Sequence, residues 1–153
     1  MKIIVDADSC PRQIRAIIMK AASRIDRKAV FVADRVLADC SGSGVTMDVV
    51  KPGDDHADDR VVELCEAGDL IITRDVLLAS RVVGAGCVAV DDRGGVFTEE
   101  NMGERVSMRN AMKAFREAGL YSQNHKPIGK KEIQLFSNAL DTHLTRLLRE
   151  EHR

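Results

Sequence analysis

Apolar and polar positions switch between two periods along the chain, and the switches mark out its elements. Residues 2–5 (KIIV) form a short apolar run, read as a buried strand that starts the fold. Pro11 then suits a first helical turn, with Asp8 or Ser9 as candidate caps. Ile14, Ile17, Ile18, Ala21 and Ala22 recur at helical spacing up to about Arg24. Residues 29–33 (AVFVA) predict a second strand, residues 39–44 a Ser/Gly turn, and residues 45–50 a third strand closed by Pro52 and Gly53. Residues 55–66 read as a helix with an acidic first turn, ended by Gly68. Residues 70–73 (LIIT) predict a fourth strand, residues 76–83 a helix ended near Gly84 or Gly86, and residues 87–90 a fifth strand. After Gly94 and Gly95 the pattern turns helical. Residues 99–118 read as one amphipathic helix and residues 119–129 as a polar loop. Residues 130–151 read as a last helix with Ile133, Phe136, Leu140, Leu144, Leu147 and Leu148 on one face.

Strands alternating with helices predict an α/β fold: a three-layer α/β/α arrangement around a mostly parallel sheet of about five strands. Residues 1–153 are expected to form one domain, an α/β core over residues 1–98 with the helices of residues 99–153 packed on it. At 153 residues and 44% hydrophobic, the chain can build a real core. Aromatics make up 3% and Trp is absent, so that core is aliphatic and platforms for stacking bases are not expected. The net charge of -1 gives no global basic footprint, so nucleic-acid binding would need a local patch. No apolar run is long enough to span a membrane, and the first apolar stretch is too short for a signal peptide. Cys10, Cys40, Cys65 and Cys87 lack C-x-x-C spacing, which argues against zinc or a disulfide framework and suits a reducing cytoplasm.

The acids are placed unevenly. Asp6 and Asp8 follow the first predicted strand, Asp75 the fourth, and Asp91 and Asp92 the fifth. In a doubly wound sheet these positions lie on the carboxyl edge, where such folds bind ligands, and Asp55, Asp58 and Asp59 open a helix that can reach it. Converging carboxylates repel unless a cation lies between them, and hard oxygen ligands suit Mg²⁺ or Mn²⁺. An Asp after a strand is also a common helix cap, a role open to Asp8, Asp58 and Asp75; the case rests on the set. Asp54, Asp59 and Asp69 read as solvated charges, Cys10 as a small buried residue, and His56, His125, His143 and His152 as non-ligands.

The run Val5-Asp6-Ala7-Asp8-Ser9-Cys10-Pro11 resembles the opening motif of the bacterial YaiI/YqxD family, whose activity is not established. So do Gly53-x-Asp55-x-Ala57-Asp58, Gly68-Asp69-Leu70-Ile71-Ile72-Thr73-x-Asp75-x-x-Leu78-Ala79, Arg93-Gly94 and the stretch from Asn101 to Arg109. That family is similar in plan to PIN-like domains, metal-dependent nucleases with acids at the ends of parallel strands. The resemblance implies Asp6, Asp58 and Asp75 as catalytic acids, and Asp6, Asp8, Asp58, Asp75 and Asp91 as candidate ligands of Mg²⁺ or Mn²⁺. Asp91 stands where relatives are expected to carry Asn.

The first expectation is therefore a nuclease acting on nucleic acid, RNA before DNA, with Arg74 and Arg93 holding flanking phosphates. Lys130 and Lys131 read as ordinary exposed cations. A second is a phosphatase of the haloacid-dehalogenase type, because an apolar strand followed by Asp-x-Asp begins that signature. Asp6 would be its nucleophile, Asp8 its general acid and Thr73 its second motif. Against it, Cys10 replaces the usual Thr or Val, Pro11 leaves no room for a flap, and no Lys lies between Thr73 and Asp91. A third is a non-catalytic module that binds nucleic acid or protein.

Overall fold

The structure, a computed structural model, describes residues 1–53, 55–120 and 126–153. Its strands are β1 (Ile3–Asp6), β2 (Ala29–Ala33), β3 (Val45–Val49), β4 (Leu70–Ile72), β5 (Val88–Val90) and β6 (Val96–Phe97). Its helices are α1 (Arg12–Arg24), α2 (His56–Leu64), α3 (Val76–Gly84), α4 (Glu99–Glu117) and α5 (Lys130–Glu151). The strands form one six-stranded sheet in the order β3-β2-β1-β4-β5-β6. The first five run parallel and β6 is antiparallel to β5.

The chain winds outward from β1 through β2 to β3, then returns over the sheet to β4 and winds the other way. Right-handed crossovers place helices on opposite faces for the two directions. So α1 lies on one face, where it shares a core with α5, while α2 and α3 lie on the other. Strand alternation sorts the side chains accordingly. Ile3 and Val5 of β1 pack with Ile14 and Ile18 of α1 and with Phe136, Leu140, Leu144 and Leu147 of α5. Ile4 packs with Val61 of α2 and with Leu78, Ala79 and Val82 of α3. Burying each large aliphatic chain contributes about 1.5–3 kcal/mol, so α5 is a structural part of the core.

Several local expectations change. The sheet gains β6, whose two residues pair with Ala89 and Val90 after a tight turn. In that turn Gly94 has φ +89, and a Cβ there would lie 2.6 Å from the Leu135 carbonyl oxygen. Neither Asp8 nor Ser9 caps α1: Pro11 occupies the cap position, without a side-chain bond. Helix α2 ends at Leu64 with Cys65 as its cap residue, ahead of Gly68. Asp69 is buried, not solvated: it accepts the Lys2 and Glu66 backbone N–H groups at 2.9 Å and the Lys2 ammonium at 2.7 Å. Asp59 is exposed and pairs with Arg81 at 2.9 Å. Asp54, His125 and part of the predicted polar loop lie outside the described residues.

Helix α4 has a capping box between Thr98 and Asn101 but buries none of its residues fully. Met102 rests on the core, and Arg105 both reaches Asp91 at 3.3 Å and stacks on the Phe97 ring at 4.2 Å. Its far half carries Met108 and Phe115 in the open. Among the described residues no helix is long and apolar enough to cross a membrane.

Candidate functional site

The winding reverses between β1 and β4, and the crevice outside the carboxyl ends of those strands is where doubly wound sheets take ligands. Alternation along β1 turns Asp6, like Ile4, toward the face that carries α2 and α3. Both helices run back from that edge, so the first turn of α2 brings Asp58 to it and the start of α3 brings Asp75. One crossover rule thus assembles three carboxylates from three segments.

Thr73 links two of them. Its hydroxyl donates to Asp6 Oδ2 at 2.9 Å and accepts the Asp75 backbone N–H at 3.0 Å. Asp75 also caps α3, its Oδ1 accepting the N–H groups of Leu77 at 2.9 Å and Leu78 at 3.2 Å. The capping role and the site role therefore coexist, because the cap bonds occupy one oxygen. A cleft of about 420 Å³ opens over this group, lined by Asp6, Asp8, Ser9, Arg74, Asp75, Val76, Arg109 and Arg116.

The carboxyls feel one another. Burial raises the Asp6 pKa, against the Thr73 hydrogen bond, and the charges of Asp75 and Asp8 add to the rise. Asp58 is pushed up to about 7, first by burial, then by the charges of Asp75 and Asp6 and by a hydrogen bond shared with Asp75. Asp8, on the rim, is also raised, by partial desolvation and by the Asp34 carboxylate, against the Asp34 backbone N–H that it accepts at 3.0 Å. Cys10 sits in a narrow recess beside Asp6, Thr73 and Asp92, and burial pushes its thiol up to about 12. That is a protonated, inert thiol.

The other expected site residues are engaged elsewhere. Asp91 holds the turn before β6: its Oδ1 accepts the N–H groups of Arg93 at 2.8 Å and Gly95 at 2.9 Å, and its Oδ2 faces Arg105. Arg74 lines the cleft but is paired with the buried Asp92. Arg93 donates to the Lys126 carbonyl at 2.8 Å and lies 3.9 Å from Glu132 of α5, away from the acids. The cations that line the cleft with Arg74 are Arg109 and Arg116. The sequence carries one trace of them, a spacing of two helical turns, but not where α4 docks.

The donor set of Asp6, Asp58 and Asp75 is all oxygen and anionic, and beyond the effect of burial the charges of Asp75 and Asp6 raise Asp58, a repulsion that a cation would relieve. Among the described residues no three His, Cys, Asp or Glu side chains stand close enough to ligate one ion together. A cation held there would take one or two of these carboxylates directly and complete its shell with water, a coordination open to Mg²⁺.

The family described as "Uncharacterized BCR, YaiI/YqxD family" matches residues 4–146. Similar chains include a UPF0178 protein of Trichlorobacter lovleyi, 41% identical over 98% of this chain and 97% of its own length. Another, from Citrifermentans bemidjiense, is 44% identical over the same shares, and one from Treponema pallidum is 39% identical over 97% of this chain and 84% of its own. No solved structure matches the chain. With the match running from β1 into α5, the chain belongs to the YaiI/YqxD family.

Proposed function

We propose that the protein is a metal-dependent nuclease that hydrolyses RNA phosphodiesters at the carboxyl edge of β1 and β4. The observation that carries this reading is the convergence of Asp6 and Asp75, joined through Thr73 at the carboxyl edge, with Asp58 close enough for its carboxyl to be raised to about 7 by burial and by their charges. One or two of Asp6, Asp58 and Asp75 would hold Mg²⁺ or Mn²⁺ directly and the rest through water, with Asp8 at the rim. When bound, the ion would supply an activated water and offset the charge that builds on the phosphate oxygens. The chain's own residues prepare the site. Thr73 fixes the Asp6 carboxylate and the Asp75 backbone in one geometry, and Leu77 and Leu78 orient Asp75. Asp58 would give up its proton to a bound cation, so metal uptake would strengthen as pH rises through about 7. The plan shared with PIN-like domains supports a phosphodiester substrate, and four cysteines without a disulfide suit the cytoplasm.

The phosphatase reading draws less support. An attacking Asp6 would have to leave a buried position in which Oδ2 already accepts from Thr73, the residue needed to hold phosphate. The test is labelled RNA incubated with Mn²⁺ and either wild type or Asp75→Asn. The nuclease reading expects cleavage by wild type alone. Equal cleavage by both, or none by either, rejects it. Hydrolysis of a generic phosphomonoester through an aspartyl-phosphate on Asp6 replaces it with the phosphatase.

A further inference from the structure

Arg12 and Arg35 are exposed and outside the cleft lining; Arg74, Arg93, Arg105, Arg109 and Arg116 at the carboxyl edge divide into two kinds. Arg74, Arg93 and Arg105 are committed to Asp92, to Lys126 and Glu132, and to Asp91. Arg109 and Arg116 have no carboxylate partner among the described residues, and Arg109 donates only to the side chain of its neighbour Asn110, at 3.0 Å. Both are only half-exposed on a helix that is otherwise largely open, and both line the cleft opposite Asp6 and Asp75. Their spacing of seven residues puts them on one face of α4, about 10.5 Å apart along its axis. The rotation of that face is fixed from the other end of the helix. Met102 is seated on the core, and Arg105, four residues before Arg109, is held by Asp91 and stacked on Phe97.

We infer that Arg109 and Arg116 are the phosphate-binding residues of this cleft, gripping two phosphates of a single-stranded RNA laid between α4 and the acid group. The inference rests on the nuclease reading for its substrate class. The near-neutral chain then needs no broad basic surface, because two guanidiniums not neutralised by the protein stand over the reacting edge. Guanidinium also matches phosphate with paired, charge-assisted hydrogen bonds, which an ammonium does not provide. Arg74 acts differently: bound to Asp92, it holds the wall of the cleft in place.

The test is binding, read apart from cleavage. Fluorescence anisotropy of a short labelled oligouridine is followed in EDTA with wild type, Arg116→Gln, Arg109→Gln/Arg116→Gln and the control Arg24→Gln. Arg24 lies on α1, on the opposite face, paired with Asp141. Each phosphate contact releases counterions worth about 0.7 in the slope of log affinity against log salt for a single strand. The double variant should therefore lose about 1.4 of slope and the single variant about 0.7. From about 50 to about 200 mM salt, wild type should lose about sevenfold more affinity than the double variant. Arg24→Gln should behave as wild type, and all four proteins should melt alike. Equal slopes for wild type and the double variant, an equal loss in Arg24→Gln, or no binding by wild type overturns the inference. Arginine-dependent binding without Mn²⁺-dependent cleavage rejects the nuclease reading and leaves this site standing. Cleavage with an unchanged slope rejects this site alone.

Discussion

Replacing Asp58 by Asn should stabilise the metal-free protein at alkaline pH and leave it unchanged in acid. Asp58 is half-buried near Asp6 and Asp75, and burial first, then their charges, raise its folded-state pKa from an ordinary value of about 3.9 to about 7. Because that pKa is raised on folding, the stability conferred by the protonated form is complete below about pH 4. It is lost as pH rises through about 7. Taken whole, a rise of this size corresponds to about 4 kcal/mol. Asp58 is only half-buried, so water screens the repulsion and about 1–2 kcal/mol is the realistic share. For a chain of this length that is a shift of about 2–6 °C in melting midpoint. The assay is thermal unfolding of wild type and Asp58→Asn at pH 5 and pH 8, each in EDTA and in millimolar Mn²⁺. In EDTA the variant should melt higher at pH 8, with most of the gap gone at pH 5. Mn²⁺ at about 100 times its Kd adds about 2.7 kcal/mol to wild type and should close or reverse the pH 8 gap. A variant that melts at or below wild type in EDTA at pH 8, or a gap equal at both pH values, refutes the repulsion argument.

Other expectations follow from single contacts. At pH 5, where Asp58 is protonated, Asp75→Ala removes the cap of α3 and should cost about 1 kcal/mol in a urea titration, whereas Asp75→Asn keeps an acceptor for Leu77 and Leu78 and should cost less than half of that. Phe136→Ala, in the buried face of α5, should cost about 3–5 kcal/mol in the same titration, and a loss below about 1 would mean that α5 is not part of the core. Gly94→Ala forces a Cβ against the Leu135 carbonyl in a left-handed turn and should lower the melting midpoint. An unchanged midpoint would show that the turn and α5 do not pack as described.

How much of this was legible depends on whether the information was local. The stripe of α5 and the run AVFVA are local patterns, and both elements stand where the pattern put them. The grouping of Asp6, Asp58 and Asp75 was also readable, because parallel strands and right-handed crossovers leave few places for acids that follow strands or open helices. Strand β6 was not, since two residues carry no period and its existence depends on pairing with β5. Asp91 and Asp92 are neighbours with the same side chain. One is spent on the turn and the other is buried against Arg74, a difference set by tertiary packing. Asp69 looked like a loop charge because its partner, Lys2, lies far away in sequence and meets it only through the pairing of β1 with β4. Closeness to acids in the chain points to Arg74 and Arg93 as phosphate holders, and the same closeness supplies them with ion-pair partners. The arginines without such partners come from α4 and reach the cleft only by its docking.

The proposed nuclease requires that Asp6, Asp58 and Asp75 share a divalent cation. A crystal grown with Mn²⁺ near pH 8 and measured for anomalous scattering tests it directly. One strong peak is expected at the carboxyl edge of β1 and β4, about 2.1 Å from carboxylate oxygens of at least two of these three residues, with water completing the shell. A crystal saturated with Mn²⁺ that shows no peak there, or a peak only at carboxylates outside this group, contradicts it.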